Sequence, residues 1–212
     1  MAGEEITTAT IPTLFPAERG LKWRYLRNSR EGQSHYTTNF LGVFSKEDKQ
    51  YQILGNPYGV SYYTITPEAL SLEGIAPADD LKKVDFYNNE SLVRLKAPLR
   101  SGHRWSGRTR TVKDKEAILT VYSTEIIGWG VVDVPAGRFD TVITSSTLNT
   151  LFFKKETGFG KGVLSYEMVW YARDVGIVRR LNFLIYGERQ SVPLRDDQLE
   201  EFIREEKKKV NP

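Results

Sequence analysis

PAERGLKW (residues 16–23) and PLRSGHRW (residues 98–105) are two copies of one short pattern, and they decide the fold of this chain. In each copy a glycine follows the proline by four residues, and a tryptophan follows the glycine by three. Proline favours an extended backbone, glycine permits a tight turn with positive φ, and tryptophan covers a large apolar area at the start of a strand. We therefore expect each copy to open one half of a large sheet, near residues 16 and 98. Chance similarity in a chain rich in proline and glycine is the alternative.

Alternating apolar and polar positions dominate the rest of the chain. Residues 34–44 and 117–129 alternate over long runs, and residues 163–171 carry apolar side chains on one face that we expect to build core. The members of that face are Leu164, Tyr166, Met168 and Trp170. Short turns separate most runs, which favours antiparallel hairpins, since parallel neighbours need crossovers of a dozen or more residues. The predicted fold class is mainly β: a large curved antiparallel meander, forming a half-barrel or open barrel within a single domain from residue 14 to residue 212.

The two ends of the chain have patterns of their own. Residues 1–13 are polar and rich in threonine, which is typical of a flexible leader. Residues 196–209 match a C-terminal α-helix, in which Asp196 or Asp197 caps the start and lysines follow at the end. Its apolar stripe consists of Leu199, Phe202 and Ile203. Such a helix packs on the sheet or covers its edge; docking into a partner is the alternative.

Composition and charge narrow the class of protein. The chain has 212 residues, of which 40% are hydrophobic and 27% charged, as is ordinary for a globular domain. A formal charge of +3 is too small to indicate a polyanion, so no nucleic acid partner is expected. The absence of cysteine excludes disulfides and thiolate metal sites. No apolar run is long enough to span a membrane, and no signal peptide is visible at the start.

Motifs for catalysis or metal binding are not found. His35 and His103 lack carboxylates at ligand spacing and make a poor zinc site. The GFGKG segment (residues 158–162) lacks both the glycine spacing and the Ser or Thr of a phosphate loop. No Gly-x-Ser-x-Gly elbow occurs. We therefore assign no catalytic residue, no metal and no cofactor, and an enzyme that acts on envelope polymers through scattered acids is the least favoured hypothesis.

A basic stretch runs from Arg94 to Lys115, with eight Lys and Arg residues against a single acid. Four of its arginines are candidates for an anion-binding surface: Arg100, Arg104, Arg108 and Arg110. Such a cationic face could meet lipid head groups, acidic polysaccharide or nucleic acid, although the small net charge gives no reason to expect the last of these. A solvated strand face without a ligand is the alternative.

Two further segments carry a resemblance to a known family. VPAGRFDT (residues 134–141) and WYARDVGIV (residues 170–178), together with the paired openings, resemble a family of uncharacterised bacterial envelope proteins and lipoproteins. The resemblance implies a curved antiparallel sheet similar to that of periplasmic lipoprotein carriers, and it implies no catalytic residues. It also implies the periplasm or cell envelope, provided that an export signal has been removed from this sequence; the cytoplasm is the alternative. The lipobox cysteine of many members is missing here.

These observations support a leading hypothesis and one alternative. The leading hypothesis is a non-enzymatic envelope protein whose curved sheet binds an apolar or amphipathic ligand such as a lipid, or serves as a scaffold. The candidate lining residues are Tyr25, Trp129, Trp170 and Phe183. Trp23 and Trp105 are expected to be structural anchors. The alternative is an interaction module that presents a sheet edge or the C-terminal helix to an envelope protein.

Overall fold

A computed structural model describes residues 9–80, 84–87, 90–113, 116–154, 160–186 and 190–205. Within these ranges the chain forms one helical turn and thirteen strands. The elements are α1 (Ile11–Leu14), β1 (Leu21–Ser29), β2 (Gly32–Lys46), β3 (Lys49–Asn56), β4 (Gly59–Ile65), β5 (Ala69–Ala76), β6 (Asp85–Phe86), β7 (Leu92–Lys96), β8 (Arg104–Lys113), β9 (Glu116–Val134), β10 (Gly137–Lys154), β11 (Gly160–Ala172), β12 (Gly176–Tyr186) and β13 (Gln190–Arg204).

The strands form one antiparallel sheet that curls into a nearly closed barrel. Its order is β6-β5-β4-β3-β2-β1-β13-β12-β11-β10-β9-β8, with β7 paired to β5. The strands from β1 to β6 are therefore one meander, those from β8 to β13 are another, and the pairing of β1 with β13 joins them. The predicted fold class, a large curved antiparallel meander, is confirmed.

The two glycine–tryptophan pairs occupy equivalent places at the starts of β1 and β8. Gly20 and Gly102 both have positive φ, at 91° and 80°, which explains the need for glycine before each strand. Trp23 and Trp105 are both buried, and each indole Nε1–H donates to a backbone carbonyl elsewhere in the barrel. The acceptors are Val175 at 2.6 Å and Val93 at 2.9 Å. Each tryptophan thus anchors the first strand of its meander to a distant segment.

Side chains, rather than a backbone ladder, connect β7 to the β8–β9 end of the sheet. The Tyr122 hydroxyl of β9 donates to the Ser91 carbonyl at 3.0 Å and accepts from the Val93 N–H at 3.1 Å. Gly107 of β8 lies between them, and a Cβ there would come within 2.6 Å of the Tyr122 hydroxyl oxygen. Because glycine leaves this space open, the tyrosine crosses β8 and fastens the two ends of the sheet.

The segment before β1 covers one end of the barrel. Ile11 and Leu14 lie on one side of α1 and are fully buried, and the Asp174 N–H of the β11–β12 turn donates to the Thr13 carbonyl at 2.7 Å. The predicted leader, residues 1–13, is therefore too long, because its last residues are part of the core. Residues 1–8 lie outside the described residues.

The predicted C-terminal helix is wrong where the structure describes it. Residues 196–204 of the predicted helix belong to β13, which pairs with β1 on one side and with β12 on the other. Asp197 and Leu199 point to one face and are buried, as strand alternation requires. Although the apolar residues are spaced as in a helix, the segment forms a strand, because the two neighbouring strands supply its backbone hydrogen bonds and bury its side chains. Residues 206–209 of the predicted helix lie outside the described residues.

We expect Tyr122→Phe to lower the free energy of unfolding by about 1–3 kcal/mol, because the backbone groups of Ser91 and Val93 lose a buried partner. Urea denaturation followed by circular dichroism measures this. Tyr58→Phe is the matched control, since Tyr58 is 60% exposed. Equal stability of the two variants would contradict this account of how the sheet ends are joined.

Candidate functional site: a cavity beside buried arginines

A cavity of about 90 Å³ lies inside the barrel, among β1, β2, β3, β4, β12, β13 and the segment after α1. One part of its wall is aromatic or apolar, and another part carries charge. The principal lining residues are Phe15, Pro16, Trp23, Tyr25, Tyr36, Leu54, Tyr63, Ile177, Arg180 and Asp197. The cavity therefore offers an amphipathic environment to a small ligand or to one end of a larger one.

Glu167 of β11 crosses the barrel interior to a strand that is not its neighbour. Its Oε1 accepts a hydrogen bond from Arg94 Nη2 of β7 at 2.5 Å, and its Oε2 accepts one from Asn182 Nδ2 of β12 at 3.1 Å. Because β7 and β11 are not paired in the sheet, the contact with Arg94 shows that Glu167 points into the barrel. Alternation along β11 then places Val169 and Tyr171 on the interior face too, and both are buried.

The sequence pattern favoured the opposite face of β11 as the one that builds core. On that predicted face, Leu164 is 37% exposed, whereas Trp170 is buried. The centre of the Trp170 ring lies 5.4 Å from the Arg179 guanidinium carbon of β12. Both faces of β11 carry large apolar side chains, so alternation alone did not identify the interior face. The interior partner of that acid, Arg94, comes from a remote strand that alternation does not reveal.

Charge pairing stabilises the ionised form of Glu167. Burial alone would raise the pKa of its carboxyl, but the Arg94 and Arg180 guanidinium groups outweigh burial and hold the pKa below its ordinary value. Burial likewise opposes the charge on Arg180, and Glu167 outweighs it, so that the pKa of Arg180 is raised. Both groups are therefore charged at neutral pH.

Asp197 of β13 forms a second buried pair, with Arg27 of β1. Arg27 binds both carboxylate oxygens, at 2.6 and 3.0 Å, in the planar fork geometry that guanidinium groups favour. Its guanidinium carbon also lies 4.5 Å from the ring centre of Tyr36 and 4.4 Å from that of Tyr58. Burial, and secondarily Asp197, raises the pKa of Tyr36 to about 12, so its hydroxyl stays protonated. Arg27 alone thus supplies a hydrogen-bond donor to each oxygen of Asp197.

Arg180 is the least well paired of the interior cations. It lines the cavity, yet its Nε is buried without a hydrogen-bond partner among the described residues, and Glu167 Oε2 lies 3.6 Å from it. Arg195 donates from Nε to Asn182 Oδ1 at 2.9 Å and lies 3.7 Å from Asp197. In the described interior, the carboxylates of Glu167 and Asp197 lie among four guanidinium groups. These belong to Arg27, Arg94, Arg180 and Arg195. The cluster therefore carries a net charge of +2.

The predicted lining residues fall in different places. Tyr25 lines the cavity and donates to the Ile177 carbonyl at 2.8 Å, and the predicted anchor Trp23 also lines it. Trp129, Trp170 and Phe183 are not among its lining residues. Trp170 lies on the opposite face of β11 from Glu167. Phe183 packs with Tyr166 of β11 at 6.1 Å between ring centres, and Trp129 is half-buried.

The four arginines predicted as an anion-binding surface are all exposed, away from the cavity. Arg104, Arg108 and Arg110 share one face of β8 by alternation, and Arg100 lies in the turn before it. Two of them have carboxylate partners: Arg104 pairs with Glu125 at 2.9 Å, and Arg108 pairs with Glu90 at 2.8 Å. These pairs partly neutralise the face.

Features of other classes of site are few within the described ranges. No group of three or more His, Asp or Glu side chains there is placed to hold a metal ion. His35 contacts Glu200 at 2.9 Å on the surface, and His103 contacts the Pro98 carbonyl at 2.8 Å. Among the described residues, no helix has the length and apolar character to cross a membrane.

Comparison with known proteins identifies the fold. No family model and no curated protein matches the chain. The crystal structure of a "putative lipoprotein" from Parabacteroides distasonis matches with a TM-score of 0.51 and 16% identity, over 92% of this chain and 100% of that one. A "putative exported protein with YmcC-like fold" from Bacteroides fragilis matches with a TM-score of 0.43 and 11% identity, over 89% and 97% of the two chains. The first likeness shows a shared fold, which confirms the curved sheet that the family resemblance implied.

We expect Glu167→Gln to flatten the loss of stability in acid. Because the pKa of Glu167 is depressed in the folded state, its contribution is complete above the pKa of an unfolded chain, about 4.3, and is lost as the pH falls through the folded-state value. At pH 7 the variant leaves Arg94 and Arg180 without their carboxylate and should be less stable by about 3–5 kcal/mol. The difference between the two proteins should begin to shrink below about pH 4 and should disappear only below the folded-state pKa of Glu167. Urea denaturation between pH 7 and pH 3 measures both effects.

Glu125→Gln removes the same charge from the exposed pair with Arg104 and serves as the control. Its unfolding free energy should stay within about 1 kcal/mol of the wild-type value at pH 7. If Glu125→Gln destabilised the protein as much as Glu167→Gln does, the special role of the interior pair would be refuted.

Proposed function

We propose that this protein is a non-enzymatic protein of the bacterial cell envelope that binds one end of an amphipathic ligand in the barrel cavity. The observation that carries the proposal is the cavity wall itself, which joins aromatic and apolar side chains to a charged side formed by Arg180 and Asp197. Ligand sites in proteins are typically concave and mostly apolar, with a few polar groups that orient the ligand. This cavity has that composition.

The size of the cavity restricts the ligand. At about 90 Å³ it is smaller than the roughly 300–1,000 Å³ that encloses a drug-sized molecule. A whole lipid does not fit, whereas a head group or the end of a chain does. The rest of an elongated ligand would extend from the cavity mouth.

The state of the interior acids supports a binding role rather than a catalytic one. General acid–base catalysis works best with a pKa near the operating pH. Glu167 instead has a depressed pKa and two hydrogen-bond donors, and both oxygens of Asp197 are held by Arg27. Acids held in this way favour an electrostatic role over proton transfer.

The proposed compartment rests on the fold. The Parabacteroides distasonis protein, which shares the fold over nearly the whole chain, is described as a "putative lipoprotein". Together with the segments that resemble envelope proteins, this supports the periplasm or cell envelope as the site of action.

We expect cell fractionation of the source bacterium to recover the protein with periplasmic or membrane fractions. Immunoblots of those fractions against a cytosolic marker measure this. Recovery with the cytosolic marker alone would contradict the proposed compartment.

Filling the cavity should weaken ligand binding. Ser61 of β4 lines the cavity, and Ser61→Trp places an indole in that space. Isothermal titration of the delipidated protein with decanoate and with decanol should show binding of at least one amphiphile to the wild type and at least about tenfold weaker binding to the variant, because a filled pocket cannot bury the ligand.

The control is Ser106→Trp, which makes the same change at an exposed position of β8 and should keep wild-type affinity. Circular dichroism confirms that both variants fold. The proposal fails if the wild type binds neither amphiphile, or if Ser61→Trp binds as tightly as the wild type does.

A further inference from the structure

Resting on the proposed function of the cavity, we propose that the bound end of the ligand is an anionic group, a carboxylate or a phosphate, and that Arg180 is its counter-ion. The ligand class is thus an anionic amphiphile whose head enters the barrel. Three features of the interior support this: the balance of charge, the hydrogen bonds of the two carboxylates, and the side chains around Arg180.

The described part of the barrel interior has too few carboxylates for its arginines. Glu167 and Asp197 face the largely buried guanidinium groups of Arg27, Arg94 and Arg180, and a fourth, that of Arg195, whose side chain is 36% exposed. A charge taken out of water is costly unless an opposite charge and hydrogen bonds compensate it. A ligand anion would reduce the net charge of this cluster, and it would therefore bind more favourably than a neutral group of the same shape.

The hydrogen bonds of the two carboxylates leave Arg180 as the free end of the network. Glu167 accepts from Arg94 and Asn182, one donor on each oxygen. Asp197 accepts from Arg27 on both oxygens. Among the residues that the structure describes, none accepts a hydrogen bond from the buried Arg180 Nε, although the Arg180 side chain borders the cavity. An anion in the cavity would supply the acceptor that the protein does not.

Repulsion within the cluster points the same way. Burial lowers the pKa of Arg195, and the charge of Arg180 lowers it further. The positive charge of Arg180 is therefore close enough to repel that of Arg195. An anion beside Arg180 would offset this repulsion.

The other walls of the cavity suit the remainder of an anionic amphiphile. Tyr36 and Tyr63 place aromatic rings beside the charged side, and Ile177 and Leu54 add aliphatic surface. A guanidinium group with planar donors matches carboxylate and phosphate oxygens, and the neighbouring apolar side chains can cover the first carbons of a chain. A free inorganic anion would use only the first of these features.

The test compares three ligands that share a ten-carbon chain and differ in the head group: decanoate, decyl phosphate and decanol. Isothermal titration of the delipidated wild-type protein should show at least one of the two anions binding at least about tenfold more tightly than decanol. The ratio between decanoate and decyl phosphate tells whether a carboxylate or a phosphate is preferred. Inorganic phosphate should bind more weakly than either anionic amphiphile.

Substitution at two adjacent positions assigns the effect to one residue. Arg180→Gln should reduce the affinity for the preferred anion at least about tenfold more than it reduces the affinity for decanol. Arg179→Gln is the matched control, because Arg179 is the next residue and binds Asp196 through two hydrogen bonds at 3.0 and 2.8 Å. It should leave both affinities unchanged. Arg180→Lys keeps the charge and should retain part of the preference for the anion.

The outcomes separate this inference from the proposed function. Equal binding of decanol and both anions to the wild type would overturn the anionic assignment while leaving cavity binding intact. An equal loss of anion affinity in Arg179→Gln and Arg180→Gln would overturn the role of Arg180. Absence of binding by all three amphiphiles would refute the proposed function and this inference with it. The wild-type comparison decides the head group even if Arg180→Gln does not fold.

Discussion

The ion pair between Arg94 and Glu167 is the interaction on which the interior of this barrel depends. It joins β7 to β11 across the lumen, where neither strand pairs with the other. Charges buried in this way are stable only when they are paired and hydrogen-bonded. Asn182 donates a hydrogen bond to the second carboxylate oxygen of Glu167. Arg180 lies at the edge of this arrangement, beside the cavity, and its Nε has no hydrogen-bond acceptor in the part of the chain that the structure describes. The interior thus combines a fixed charge pair with a cation that a ligand can reach.

The strand pairing of the sheet fixes the positions of these charged side chains. Two antiparallel meanders meet at β1 and β13, which places Arg27 opposite Asp197 in the register. Tyr122 fastens the other ends of the sheet through β7, the strand that carries Arg94. The contact between Arg94 and Glu167 therefore depends on closure of the barrel, which brings β7 opposite β11.

Much of the architecture could be predicted from the sequence, because it depends on local patterns. Alternation and short turns predicted the antiparallel meander, and Gly20 and Gly102 adopt the positive φ expected of them. The C-terminal helix was wrong because the spacing of Leu199, Phe202 and Ile203 suits a helix, whereas the pairing of β13 on both sides depends on strands far away in sequence. Of the cavity, only Tyr25 was predicted as a lining residue. Arg180 and Glu167 could not be, since their environment exists only once the barrel closes.

A crystal structure of the protein with bound decyl phosphate would test the central claim most directly, because the described residues offer two cationic regions. One is the interior cluster at Arg180; the other is the exposed face with Arg104, Arg108 and Arg110. The account predicts the phosphate inside the barrel, with an oxygen about 3 Å from the Arg180 guanidinium and the first carbons of the chain against Tyr36 and Tyr63. A phosphate bound only on the exposed face, with the cavity holding water, would contradict it.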